Sequence, residues 1–347
     1  MHEEVVCSRI LGDGEELTVK VATPPLSERL IKVFLRTPEL SATKRESGMR
    51  LFGAIHDQSS DYFLAGELDG KIVGTLWYCT PATCKEIAYM GEAFTNKKQR
   101  RKGVATSLLE VAVDFFRENG GRAIYITNLC PNAPHRIYRK LGFQAYGYGL
   151  VTYGGIIRLT VNERSEDFDR AYYEHDSNTS IRNVNWGDLP HFIALLNYPH
   201  PWILRAYNFG LIGPGVFDEL GRSFMNFMKT LKEGNICLVL EDSEKRMVGT
   251  AYTSSLHTRS QSHVKTVDFL VHPNYFAEAA ELLKALVEKL SDGKAGKLQA
   301  YAAAATDRSR TEILRLCGFK REATMQDQLR IGSKKIDLEI YSIILKR

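Results

Sequence analysis

The sequence predicts an α/β protein of two tandem copies of one domain, each a mixed central sheet flanked by helices. Three observations point there. Val73-Gly74-Thr75 recurs as Val248-Gly249-Thr250, and the IYRKLGF of Ile137–Phe143 recurs as the ILRLCGF of Ile313–Phe319. The two offsets, 175 and 176 residues, nearly agree and lie close to half the chain, the mark of an internal repeat. A strand–helix–strand pattern over 86–128 implies a parallel crossover. The 347 residues also exceed one average domain of roughly 100–200 residues.

The boundary falls at the polar stretch ERSEDFDRAYYEHDSNT, which is charged and lacks clear periodicity. The expected domains are 1–162 and 178–347, with 163–177 as linker. In the first half, Leu17–Ala22 alternates as a strand does, and Pro24-Pro25 stops it. Helical patterns follow over Ser27–Arg36 and Ser41–Asp57. Tyr62–Leu68 and Lys71–Thr80 form a hairpin about Asp69-Gly70, and Glu86–Thr95 is the next strand. Val104–Asn119 sets Val104, Leu108, Val111, Ala112 and Phe115 on one stripe of period 3.6, ended by Gly120-Gly121. A strand over Arg122–Thr127, a short helix up to Leu141 and strands after Phe143 complete the half. In the second half the stripe Leu283, Leu286, Val287, Leu290 and the alternating segment Gly332–Leu345 repeat the plan.

Composition narrows the class. Apolar residues are 44% and charged residues 25%, a globular balance that excludes disordered, collagenous and coiled-coil chains. A net charge of +5 is mild for this length, and the basic run 97–102 has no interleaved aromatics, so no nucleic-acid partner is expected. Six cysteines without a C-x-x-C pair argue against a disulfide framework and suit a reducing cytoplasm. No run of about 18 apolar residues and no N-terminal apolar h-region occur, so neither a membrane span nor a signal peptide is expected. The sequence holds no H-E-x-x-H or comparable spacing, so no metal is expected.

The chemistry concentrates in TNKKQRRKGVAT, residues 95–106. This segment joins a strand to the N-terminus of an amphipathic helix, where unpaired amides and the positive end of the dipole favour an anion. Gly103 lets that anion approach the backbone, and five of the six residues 97–102 are basic. The combination suits a pyrophosphate. A solvated basic turn is the plain alternative.

Arg100-x-x-Gly103-x-Ala105 resembles the Gln/Arg-x-x-Gly-x-Gly/Ala signature of the GCN5-related N-acetyltransferase (GNAT) superfamily. Tyr138-Arg-Lys-Leu-Gly142-Phe143 resembles that family's Tyr-x-x-x-Gly-Phe, on the helix after the crossover. The likeness covers nearly all of 17–160. The family's Asn seven residues before the tyrosine is Pro131 here, with Asn132 one place on, and its Ala four before is Pro134.

The resemblance implies transfer of the acetyl group of acetyl-CoA, as co-substrate, to a primary amine. It assigns the cofactor to Phe94, Thr95, Arg100, Arg101, Lys102, Gly103, Val104, Ala105, Thr106, Asn132 and His135. Backbone N–H groups near Phe94 and Thr95 would hold the oxyanion. Tyr138 would act as general acid on the leaving thiolate, and Glu92 is the best-placed base for the ammonium, ahead of Glu86 and Tyr89. A small-molecule acceptor is expected because no peptide-binding signal is evident, and the chain is a monomer or homodimer. A non-catalytic acyl-CoA-binding scaffold is the competing reading.

Carried across the repeat, the phosphate turn lands on HPNYFAEAAE (272–281), and Tyr138 lands on Leu314. The segment has no glycine and no lysine or arginine, which is wrong for an anion. The second half therefore reads as a degenerate copy. Residues 198–217, rich in aromatic, Gly and Pro residues, suit either a lid or a packed connection.

Overall fold

The computed structural model describes residues 2–36, 44–128, 133–147, 155–212, 220–255, 259–291, 295–304 and 306–345. By packing, these form two compact units. The first comprises Met1–Asp169, Asn185–Ile193 and Asp218–Asn226, and the second comprises Arg170–Val184, Ala194–Phe217 and Phe227–Arg347.

The first sheet contains β1 (His2–Ile10), β2 (Glu16–Thr23), β3 (Ser59–Leu68), β4 (Lys71–Pro81), β5 (Ile87–Thr95), β6 (Ala123–Asn128), β7 (Gln144–Ala145) and β8 (Gly155–Thr160). Their spatial order is β1-β2-β3-β4-β5-β6-β8-β7. All neighbours are antiparallel except β5 and β6, the crossover expected from the sequence. Helices α1 (Glu28–Phe34) and α2 (Lys44–Leu51) lie between β2 and β3 in sequence, and α3 (Val104–Glu118) joins β5 to β6. The buried side chains of α3 are Val104, Leu108, Leu109, Val111, Ala112 and Phe116, packed with Leu17, Val19, Leu64, Leu76 and Tyr78 of the sheet. Close approach is built in at Gly74, where a Cβ would meet Val104 Cγ1 at 2.7 Å.

After α4 (Ala133–Lys140) and β8, helix α5 (Ser165–Tyr172) occupies much of the stretch expected as linker. Its Phe168 and Tyr172, one helical turn apart, are buried.

The second sheet repeats the plan. It contains β9 (Ser180–Asn183), β12 (Cys237–Glu241), β13 (Met247–Ser255), β14 (Val264–Val271), β15 (Lys297–Ala303), β16 (Lys320–Ile331) and β17 (Lys334–Ile344), in the order β16-β17-β15-β14-β13-β12-β9. Strand for strand this matches the first sheet without β1, and the parallel pair β14–β15 stands where β5–β6 stands. The short pair β10 (Leu204–Ala206) and β11 (Leu211–Ile212) stands apart from it. Helices α6 (Leu189–Asn197), α7 (Leu220–Leu231), α8 (Ala279–Ser291) and α9 (Arg308–Leu316) complete the chain. The two α/β sheets with flanking helices are the architecture expected.

Candidate active site

In the first unit β5 and β6 form a wedge. Parallel pairing runs from Ile87–Ala123 to Met90–Ile126 and then ends, while β5 continues to Thr95 on β4 and β6 continues to Asn128 on β8. A bulge marks the parting. Thr75 pairs with Phe94 and Trp77 with Gly91, so Glu92 and Ala93 together oppose Leu76. Glu92 takes a left-handed φ of 55°, and its carbonyl accepts a hydrogen bond from Thr75 Oγ1 at 3.5 Å. A bulge bends its strand and re-aims the side chain there. Glu92 is half-buried at the wedge, whereas Phe94 is 43% exposed.

The basic turn 96–103 follows. Asn96 donates its backbone N–H to Val73, and its side chain caps the amide of Lys98 at 3.1 Å. Arg100 Nε reaches Thr95 O at 3.4 Å, folding the turn back on the strand end. Arg101 (φ 66°) and Gly103 (φ 106°) are both left-handed and exposed, and Gly103 is the N-cap of α3. Only Leu11 Cδ2, at 3.8 Å, would meet a Cβ on Gly103, so the space above the turn is open. Helix α3 makes its first internal bond from Ser107 to Gly103. The amides before it, at Val104, Ala105 and Thr106, are those a helix start leaves for an outside acceptor. Open space, backbone donors and exposed Arg100 and Arg101 fit the pyrophosphate of CoA.

Lys102 is placed differently. Its Nζ lies 2.6 Å from Asp13 Oδ2 and 2.6 Å from Glu15 Oε2, and these carboxylates hold the ammonium above its ordinary pKa. Its carbonyl also accepts the N–H of Gly12 at 3.1 Å. Lys102 thus ties the β1–β2 turn to the basic turn ahead of α3. The sequence reading missed this clamp, although Asp13-Gly14 is itself a turn signal.

Tyr138 lies on α4, its ring packed edge-to-face on Phe143 with centroids 5.7 Å apart. Burial alone pushes its hydroxyl up to about 12, so it carries its proton throughout the neutral range. His135, one turn earlier, meets Asn128 at the end of β6, with 2.7 Å between Nδ1 and the amide nitrogen. Asn128 was not a sequence candidate, and Asn132 lies outside the described residues. Among the described residues, no cluster of three or more His, Cys, Asp or Glu could hold a metal. Among them, too, no helix is long and apolar enough to cross a membrane.

The described residues of the second unit show none of these features. β13 and β14 pair without a bulge from Gly249–Val271 to Ser255–Lys265. At the turn after β14, Tyr275 is fully buried and bonds the carbonyl of Glu174. Burial keeps His272 neutral by lowering its pKa to about 3, and Glu278 pairs with His175.

Residues 29–143 match the model of the acetyltransferase (GNAT) family. No curated protein matches the chain. Among solved structures, an acetyltransferase of the GNAT family from Streptococcus pneumoniae is 16% identical, covering 49% of this chain and 100% of its own, with TM-score 0.42. A ribosomal-protein-alanine N-acetyltransferase from Brucella melitensis is 20% identical over 48% of this chain and 99% of its own, with TM-score 0.41. A putative acetyltransferase from Salmonella typhimurium, solved with acetyl-CoA, is 13% identical over 49% of this chain and 95% of its own, with TM-score 0.41.

Proposed function

We infer, from the GNAT-family acetyltransferase domain that this chain carries at residues 29–143, that the protein moves the acetyl group of acetyl-CoA onto the primary amine of a small molecule. The domain makes it an acetyl-CoA-dependent N-acyltransferase. The finer reading is a single active site in the first half, with direct attack of the amine on the thioester. The observation that carries it is the wedge between β5 and β6, which opens at Glu92 directly ahead of the open, basic turn at Gly103.

Each residue then has a role. The amides of Val104 to Thr106, with Arg100 and Arg101, hold the pyrophosphate, and Lys102 braces their loop. Glu92 accepts the proton of the incoming ammonium, directly or through water. Backbone N–H groups of the parted strand near Phe94 and Thr95 meet the charge that develops on the thioester oxygen. Tyr138, kept protonated by burial, gives its proton to the departing thiolate. His135 and Asn128 border the same wedge.

The experiment is a panel of amines with detection of released CoA thiol, comparing wild type and Y138F. Thiol release that depends on a small amine supports the reading. Binding of acetyl-CoA with no release toward any amine or peptide would favour the non-catalytic scaffold.

A further inference from the structure

The second sheet also parts. Parallel pairing of β14 with β15 covers only Val264–Lys297 to Thr266–Gln299, after which each strand keeps just its antiparallel neighbour. The gap is filled from within. Arg310, in the first turn of α9, is fully buried. Its Nη1 donates to the carbonyl of Phe269 on β14 at 2.7 Å, and its Nε donates to the carbonyl of Tyr301 on β15 at 2.8 Å. Nη2 donates to Asp268 Oδ1 at 2.6 Å. The guanidinium also stacks over the rings of Phe269 and Trp202, at 4.4 and 5.3 Å.

The partners are themselves anchored. Asp268 Oδ2 accepts from Tyr252 at 3.2 Å and from the amide of Asn208 at 3.1 Å. Asp307, just ahead of α9, accepts the amides of Ile203, Leu204 and Ala303. Each of the three guanidinium nitrogens has an acceptor inside the unit, and the charge has a carboxylate partner, as a buried charge requires. By the repeat, Arg310 takes the position of Pro134, a residue with no charge to offer.

We propose that Arg310 is the built-in occupant of the second wedge, bridging the parted strands where the first sheet receives acetyl-CoA. This rests on the reading that the first wedge takes acetyl-CoA. It gives the second half a fixed form that needs no ligand, and it leaves one acyl-CoA site per chain. A planar guanidinium suits the task because one rigid group serves both strands and a carboxylate at once.

The test is hydrogen–deuterium exchange on the full chain, with and without acetyl-CoA. The expected result is slowed exchange over 87–106 and 123–128, with 264–271 and 297–303 unchanged. Slowed exchange over 264–271 on adding acetyl-CoA would overturn the proposal. In the absence of acetyl-CoA, R310M should speed exchange at 268–271 and 299–303 by about a hundredfold, because it strands a buried carboxylate. Unchanged exchange in R310M would overturn the proposal equally. Should R310M fail to fold, R310K, which keeps the charge but cannot span all three acceptors, is read the same way. If acetyl-CoA slows nothing anywhere, the proposed activity fails, while the Arg310 variants still decide this assignment.

Discussion

Glu92 and Asp268 each stand two residues beyond the last parallel rung of their sheets, Met90–Ile126 and Thr266–Gln299. Their surroundings are opposite. Glu92 sits half-buried in a bulge at a left-handed backbone position. Asp268 sits in a regular ladder, fully buried against Arg310. A carboxylate that collects a proton from an amine needs some exposure, and of the two only Glu92 has any. E92Q should lower kcat by about a hundredfold while leaving the KM for acetyl-CoA near wild type. An unchanged kcat would remove Glu92 from the mechanism.

Tyr138 gives a pH prediction. Its hydroxyl, raised from 10.0 to about 12 by burial, stays protonated through neutral and mildly alkaline pH. A general acid is lost only as pH rises through its pKa, so Tyr138 imposes no falling limb on kcat between pH 7 and 10. Y138F should cut kcat by about a hundredfold with the KM for acetyl-CoA little changed. A wild-type falling limb near pH 8 that disappears in Y138F would contradict the assignment.

The basic run divides by geometry. Arg100 and Arg101 are exposed at the basic turn ahead of α3, whereas Lys102 is engaged by Asp13 and Glu15. R100A and R101A should each raise the KM for acetyl-CoA by about tenfold. K102A should change it less and instead lower the melting temperature, because it unties the β1–β2 turn. A larger KM effect for K102A than for either arginine would show that the clamp opens to the cofactor.

His191 sets a stability window. Burial lowers its pKa, but the neighbouring Asp188 carboxylate and Cys84 thiol outweigh that and raise it from 6.5 to about 9. A pKa raised on folding stabilises the protein fully below the unfolded value and ceases to do so as pH passes the folded one. The wild-type melting temperature should therefore fall between pH 6.5 and pH 9, and H191Q should flatten that slope. Equal slopes in the two proteins would contradict a protonated, buried His191.

Much of the first half was legible in the sequence because its signals are local. The α3 stripe found Val104, Leu108, Val111 and Ala112, all buried; it took Phe115 where the neighbouring Phe116 goes deeper. β1 was missed because it is an edge strand with Val5 and Ile10 largely exposed, so no alternation marks it. Phe168 and Tyr172 carried a helical spacing inside the expected linker, hidden by the charges around them. The bulge at Glu92 depends on pairing with β4, a tertiary property. Arg310 was invisible for a different reason. An arginine in an amphipathic helix reads as solvated, and only the placement of α9 over the parted strands turns it inward.

The central claim is one acetyl-CoA site per chain, built on the turn at Gly103. Titration calorimetry of acetyl-CoA into wild type and G103E tests it most directly. One site per chain is the predicted result, abolished in G103E because the new side chain puts bulk and negative charge where the phosphates bind. Two sites per chain, or wild-type affinity in G103E, would contradict it.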